Sequence, residues 1–184
     1  MKNISLSIFI ALLSSCISNS KNEIEMPYKK EDFEKTIEGK NTTLLTLKNK
    51  AGMLVTLTNY GAKIVSVYAP DKNGNFQDVV LGFKSVDDYQ KYGASHGAIV
   101  GPYANRIAKA RFAIDGYTYY LPVNNGEACL HSGPESWYRK VWDYERKDNR
   151  ITFTLESPDG EFGFPGNKKV NVEYTLTDEN ELKI

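Results

Sequence analysis

Two adjacent side chains, Asn105 and Arg106, carry the strongest chemical signal, because the stretch around them, Gly97 to Arg111, is rich in small residues. Together they supply amide and guanidinium N–H donors and one amide acceptor. The small residues let a backbone or a ligand approach closely. This set of donors suits a ligand covered with hydroxyl groups. The alternative is that Asn105 forms a turn and Arg106 is a solvated cation.

A second polar stretch favours the first interpretation, since it places a histidine 25 residues after Arg106. Asn124 to Gly133 is a polar turn that leads through an apolar pair to His131. With two further motifs, the chain resembles the aldose 1-epimerase (galactose mutarotase) family, whose pattern reads G-R-x-A-N-R-I, a D-G hairpin, N-x-x-x-x-L-H-G-G and S-P-D-G-E-x-G-[FY]-P-G. The matching segments are Gly101 to Ile107, Asp115-Gly116, Asn125 to Gly133 and Ser157 to Gly166.

The resemblance covers about residues 39 to 184 and departs from the family pattern at two positions. Pro102 stands where an arginine is usual, and Ser132 stands where a glycine is usual. Neither departure removes the three polar side chains that the motifs share. The four motifs, in this order and at family-like spacing, are specific as a set.

The resemblance implies an isomerase that interconverts the α and β anomers of aldohexoses such as galactose or glucose. The C1 hydroxyl loses a proton, the ring oxygen gains one, and the opened aldehyde rotates before it recloses, so the reaction needs a general base and a general acid. It calls for no metal or organic cofactor. The implied substrate-binding residues are Asn105, Arg106 and His131, and His131 is also the implied catalytic residue, close to the ring oxygen.

The family pattern also implies a second histidine as the acid and a late glutamate as the base, and both come after the part that Ile184 ends. We therefore expect the N-terminal part of a mutarotase-like domain, incomplete at the C-terminus, whose own activity is doubtful. His96 is not expected to replace the second histidine, because it precedes the Asn105 motif. Asp159 and Glu161 are expected to shape a loop rather than to act as a carboxylate pair.

A non-catalytic surface lipoprotein that binds carbohydrate is the alternative function. A reading frame that continues past Ile184 into a T-N-H segment and a late glutamate would favour the enzyme. A true stop there would favour the binding protein. The sequence does not indicate which aldose is bound or which oligomeric state the protein adopts.

Short runs of alternating apolar and polar residues predict an all-β protein, an antiparallel β-sandwich. Turn-forming residues separate these runs at intervals of roughly ten, including the Asp71–Asn75 segment and the Asp148-Asn149 pair. The only helical signal is Ser85–Tyr92, with Ser85 as the N-cap. The predicted strands are Thr42–Leu47, Met53–Thr58, Ile64–Tyr68, Phe112–Ile114, Tyr117–Leu121, Ile151–Leu155 and Val170–Leu176.

The N-terminus predicts export and lipidation. Lys2, the apolar run Ile4 to Leu13 and the small residues before Cys16 are typical of a secretory signal peptide, here residues 1–15. The sequence Leu-Ser-Ser-Cys resembles a bacterial lipobox, which makes Cys16 a candidate acyl attachment site; an ordinary cleaved signal is the alternative. Residues 16–38 are charged and predict a lipid-anchored tether before the domain at 39–184. We therefore expect a lipoprotein of the bacterial cell envelope, facing the periplasm or the surface.

Composition excludes other classes of protein. The chain has 23 basic and 23 acidic side chains and a formal net charge of zero, without a basic block of the kind that binds nucleic acid. Besides Cys16 the only cysteine is Cys129, which predicts a buried small hydrophobe rather than a zinc ligand or a disulfide partner. The aromatic residues are predicted mainly as core, although a flat ring could also cover the apolar face of a sugar.

Overall fold

A computed structural model describes residues 27–93 and 95–184. Besides one α-helix, α1 (Val86–Tyr92), and four single turns of 3₁₀ helix, the described residues form short and long β-strands. In chain order these are β1 (Thr36–Ile37), β2 (Lys40–Asn41), β3 (Leu44–Lys48), β4 (Leu54–Thr58), β5 (Lys63–Pro70), β6 (Phe76–Asp78), β7 (Arg106–Ile107), β8 (Arg111–Ile114), β9 (Tyr117–Tyr120), β10 (Cys129–Leu130), β11 (Asp143–Lys147), β12 (Arg150–Ser157), β13 (Lys168–Leu176) and β14 (Leu182–Lys183).

Two antiparallel sheets of four strands form the body of the fold. One has the order β3-β4-β5-β6 and the other the order β11-β12-β13-β14, so each sheet is a meander of neighbouring strands. The register is continuous along β12 and β13, where Phe153 faces Val172 across the strands. A bulge after Thr56 shifts the pairing between β4 and β5.

The main core lies between the two sheets. Leu47, Val55 and Leu57 of the first sheet belong to the same buried cluster as Ile151 and Phe153 of the second. Strand β12 buries alternate residues, as a strand with one covered face must. Burial of each of these aliphatic and aromatic side chains stabilises the folded state by roughly 1.5–3 kcal/mol. The predicted antiparallel β-sandwich is confirmed.

The seven strands predicted from alternation are all present, with ends that differ by a few residues. Alternation missed β6, which has three residues, and β11, whose five residues are all exposed. It also missed the two-residue strands, because a period of two cannot be detected over two positions. The helix is where it was predicted, and the Ser85 hydroxyl accepts a hydrogen bond from the Asp88 N–H as its N-cap.

The packed part of the chain begins earlier than the residue 39 boundary placed from the sequence. Phe33 is fully buried against Val86 and Tyr89 of α1, and its carbonyl accepts a 2.6 Å hydrogen bond from the Thr42 hydroxyl. At least the end of the predicted tether therefore packs on the domain. One aromatic residue among charged neighbours has no periodicity, and so the sequence did not reveal this contact. Cys16 and the signal peptide lie outside the described residues.

Within residues 27–93 and 95–184, no helix has the length and apolar character needed to cross a membrane. The described residues form three core clusters: the inter-sheet cluster, the Phe33 cluster beside α1, and a smaller cluster around Cys129. The third cluster underlies the polar residues that the sequence selected.

Candidate functional site

A two-residue strand pair joins the two polar stretches that are 25 residues apart in sequence. Strand β7 pairs with β10 in antiparallel register, so that Arg106 lies opposite Leu130 and Ile107 lies opposite Cys129. Asn105 immediately precedes β7 and His131 immediately follows β10. In an antiparallel pair these two positions are neighbours, which brings the predicted residues together.

Asn105 and His131 are held to each other by two hydrogen bonds. The His131 backbone N–H donates to the Asn105 carbonyl at 2.9 Å, and the Asn105 N–H donates to the His131 Nδ1 at 3.0 Å. A ring nitrogen that accepts a hydrogen bond carries no proton, so the proton of the neutral imidazole is on Nε2. His131 therefore has an Nε2–H group available to donate to a ligand.

The Arg106 guanidinium is oriented by two amide oxygens. Its Nε donates to the Asn125 Oδ1 at 2.8 Å, and one terminal nitrogen donates to the Asn105 Oδ1 at 3.1 Å. Three of the five guanidinium N–H groups are not used by these bonds. Asn105 and Arg106 are exposed and His131 is half-buried, so the free donors face outward.

Asn125 is the site residue that the sequence reasoning did not select, although it opens the N-x-x-x-x-L-H motif. That position in the pattern was the available signal. Its neighbour Asn124 has a different function, since its amide side chain accepts from the Leu130 N–H at 2.6 Å and donates to the Leu130 carbonyl at 3.0 Å. Asn124 thus fixes the loop, and Asn125 fixes the guanidinium of Arg106.

All four motifs meet in the apolar cluster beneath the site. The cluster combines residues of the Asn105 motif, the β8–β9 hairpin, the His131 motif and the Ser157 to Gly166 loop, and the Phe112 and Phe164 rings stack at 5.5 Å. The spacing of the motifs along the chain thus has a packing reason. The residues of the cluster are Ile107, Ala110, Phe112, Leu121, Cys129, Phe162 and Phe164.

The backbone of the site adopts positive φ values at three non-glycine residues. Asn105, His131 and Ser132 have φ values of 67°, 54° and 64°. Asparagine and histidine are enriched among the non-glycine residues of this left-handed region, whereas serine is disfavoured there. Gly101 is required by its surroundings, because a Cβ at this position would lie 2.0 Å from the Trp137 ring. The site loops are therefore held in conformations that the surrounding contacts impose.

The other candidate residues lie in different settings. His96 is exposed and its ring stacks on Phe83 at 5.7 Å, which gives it a packing contact. Asp159 accepts from the Gly166 N–H at 2.5 Å and so closes the predicted loop. Cys129 is fully buried, as predicted, and burial raises the pKa of its thiol. Among the residues that the structure describes, no group of three or more His, Cys, Asp or Glu side chains could hold a metal ion.

The fold and this site define a β-sandwich protein with a polar donor and acceptor cluster on its surface. Comparison with known proteins specifies the family. The family model for aldose 1-epimerase matches residues 43–184. Aldose 1-epimerase of Escherichia coli strain K12 is 42% identical over 148 residues, which are 80% of this chain and 43% of that protein. Galactose mutarotase of Rattus norvegicus is 41% identical over 130 residues, 71% of this chain and 38% of that one.

Solved structures agree with these sequence matches. An aldose epimerase homologue from C. elegans superposes with a TM-score of 0.73 at 37% identity, covering 77% of this chain and 44% of that one. Galactose 1-epimerase of Lactobacillus acidophilus gives a TM-score of 0.71 at 32% identity, covering 80% of this chain and 44% of the other. The chain belongs to the aldose 1-epimerase family, as its motifs indicated. It spans less than half the length of these relatives.

Proposed function

We propose that this chain provides the sugar-binding face of an aldose 1-epimerase, an isomerase that acts on aldohexoses such as galactose or glucose. The observation that carries the proposal is the joint orientation of three polar groups. Asn105 and His131 bond reciprocally, and the Arg106 guanidinium is aligned by two amide oxygens. Convergent donors of this kind recognise a ligand with several hydroxyl groups. Membership in the family supports this reaction class.

In the proposed mechanism each of the three residues has a separate function. Asn105 and Arg106 bind sugar hydroxyls and fix the orientation of the ring. The Nε2–H of His131 donates a hydrogen bond near the ring oxygen, where negative charge develops as the ring opens. The proton from the C1 hydroxyl goes to a general base, and the ring oxygen takes a proton from a general acid. By the resemblance these groups are a late glutamate and a second histidine, which have no counterpart among residues 1–184.

The experiment follows the α to β conversion of freshly dissolved galactose and glucose by polarimetry, and sugar binding by saturation-transfer NMR. We expect the 184-residue chain to bind sugar but to turn it over slowly, since it lacks the family's acid and base. His131→Ala should weaken binding and lower any turnover, whereas the matched control His96→Ala should change neither. Absence of sugar binding would contradict the proposal. Turnover at the full rate of a family enzyme would assign the catalysis to His96 or to a carboxylate of this chain.

We further propose that the protein is a lipoprotein of the bacterial cell envelope, acylated at Cys16. The support is sequence alone: the positive Lys2, the apolar run Ile4 to Leu13 and the Leu-Ser-Ser-Cys order. Two or three acyl chains anchor a protein stably, whereas one is marginal. Mass spectrometry of the mature N-terminus should find acylated Cys16 as the first residue.

A variant pair separates this anchor from other modes of membrane association. Cys16→Ala should move the protein from the membrane fraction to the soluble fraction of the expressing bacterium. Cys129→Ala removes the chain's other cysteine and should leave the membrane association unchanged. An unmodified chain that begins at Met1, or cleavage at another residue, would contradict the proposal.

A further inference from the structure

The loop that carries Asn105 is attached to the His131 loop through its own backbone. Tyr103 and Asn105 each use their N–H and their carbonyl in a hydrogen bond with His131 or Ser132. Two of these bonds form the Asn105–His131 pair already described. The other two involve a single side chain, the Ser132 hydroxyl.

The Ser132 hydroxyl both accepts and donates a hydrogen bond. Its Oγ accepts from the Tyr103 N–H at 2.8 Å and donates to the Tyr103 carbonyl at 2.9 Å, and the residue is 1% exposed. One side chain thus satisfies both backbone polar groups of a residue two positions before Asn105. The two bonds are partly buried, since Ser132 is buried and Tyr103 is exposed, and their loss would remove the partners of both Tyr103 backbone groups.

The backbone conformation at Ser132 is unfavourable for a residue that has a side chain. Its φ of 64° lies in the left-handed region, where glycine is favoured and serine is strained. The family pattern has glycine at this position. A serine in this conformation makes two hydrogen bonds through its hydroxyl that glycine could not make.

We infer that Ser132 is a positioning residue for His131. Its hydroxyl holds the Tyr103–Asn105 segment in place, so that the Asn105 backbone N–H donates its hydrogen bond to the imidazole Nδ1. That bond keeps Nδ1 unprotonated, and so Nε2 presents its proton outward. The effect on the imidazole stands on the geometry alone. The consequence for sugar affinity rests on the proposed function, and the experiment below separates the two.

NMR of the ligand-free chain tests the imidazole directly. The hydrogen bond from the Asn105 backbone N–H to the His131 Nδ1 should give a through-bond ¹⁵N–¹⁵N coupling between the two nitrogens. The Asn105 backbone amide should also be protected from hydrogen exchange. The chain has only two histidines, so His96→Gln assigns the ring signals. Ser132→Ala and Ser132→Gly both remove the hydroxyl, but only Ser132→Gly relieves the backbone strain.

We expect the coupling to weaken or disappear in both variants and the Asn105 amide to exchange about three- to ten-fold faster, as the loss of a net hydrogen bond predicts. Ser157→Ala is the matched control, because Ser157 is also 1% exposed but its hydroxyl has no hydrogen-bond partner among the residues that the structure describes. It should leave the Asn105 signals unchanged. Because Ser132→Gly fits the left-handed backbone, it gives a folded variant even if Ser132→Ala does not fold.

Unchanged Asn105 coupling and exchange in both variants would overturn the inference, even if the Tyr103 amide became exposed. An effect in Ser132→Ala but none in Ser132→Gly would also overturn it, since the backbone rather than the hydroxyl would then be responsible. Titration with galactose follows as a separate step, with an expected three- to ten-fold loss of affinity. If the coupling is lost while sugar affinity is unchanged, the positioning inference stands and the sugar site is located elsewhere.

Discussion

Lys63 and Arg106 are two basic side chains that lie in opposite environments in the fold. Lys63 is fully buried at the start of β5, whereas Arg106 is exposed at the start of β7. Within the part of the chain that the structure describes, neither forms an ion pair with a carboxylate. Their partners are therefore neutral groups, and the difference between them lies in access to water.

The Lys63 amine is surrounded by aromatic rings. It lies 4.6 Å from the centre of the Tyr60 ring and 5.4 Å from that of Tyr89, and it donates a hydrogen bond to the Tyr138 carbonyl. Burial, and secondarily the positive charge of Arg139, lower the pKa of Lys63 to about 7. The folded structure thus favours the neutral amine.

Arg106 is exposed to water, and its hydrogen-bond partners set the direction of its guanidinium. The amide oxygens of Asn105 and Asn125 each accept one hydrogen bond from the guanidinium and leave other N–H groups for a ligand. The comparison shows that a basic side chain without a carboxylate partner can have two different functions in this fold. The buried Lys63 packs against aromatic rings, whereas the exposed and oriented Arg106 is available to bind a ligand.

The largest expected effect concerns Lys63 and the pH dependence of stability. The folded protein releases this proton near pH 7, whereas the unfolded chain retains it up to the ordinary pKa of 10.5. Between these values the unfolded state binds one more proton, so the free energy of unfolding rises with pH, by roughly 1.4 kcal/mol per unit. Lys63→Met should remove this slope, which urea unfolding between pH 7.5 and 9.5 measures.

The control for that experiment is Lys48→Met, which removes an exposed amine at the end of β3. It should retain the wild-type slope. If Lys63→Met and the wild type had parallel slopes, the amine would be charged in the folded protein and the contrast with Arg106 would fail.

The second prediction concerns whether Arg106 binds sugar through its charge alone or through the planar hydrogen-bonding geometry of its guanidinium. Arg106→Ala should weaken sugar binding about ten- to a hundred-fold, since charge-assisted hydrogen bonds contribute about 1.5–3 kcal/mol. Arg106→Lys keeps the charge but cannot reach both amide oxygens, so most of that loss should remain. Titration calorimetry with galactose measures both, with Arg146→Ala on exposed β11 as the control. Wild-type affinity in Arg106→Lys would show that charge alone suffices.

The smallest expected effect is at Asn125, which touches the guanidinium but need not touch the sugar. Asn125→Ala removes the acceptor for the Arg106 Nε and should weaken galactose binding about two- to ten-fold, the range for one neutral hydrogen bond. Asn171→Ala is matched, because Asn171 is also exposed and accepts one side-chain bond, from Thr154 at 2.8 Å. Equal effects of the two variants would mean that orientation by Asn125 contributes nothing.

Local patterns were sufficient for several parts of the fold. Alternation located seven strands, although not the exposed β11, and Asp115-Gly116 located the turn between β8 and β9, since backbone sterics and turn preferences act over a few residues. Ser85 was correctly predicted as the helix N-cap for the same reason. The contact of Phe33 with α1 could not be predicted, because it joins segments about fifty residues apart with no periodic signal.

The sequence by itself determined the family and the β-sandwich class, and it selected Asn105, Arg106 and His131 as candidate site residues, because motif order and residue chemistry can be recognised without a structure. Only the tertiary structure decided that the Asn105 backbone N–H donates a hydrogen bond to the His131 Nδ1 and that Asn125 orients Arg106. It alone placed the Lys63 amine among aromatic rings. Hydrogen-bond geometry and burial depend on segments that meet only after folding, so neither the tautomer of His131 nor the lowered pKa of Lys63 follows from residue type.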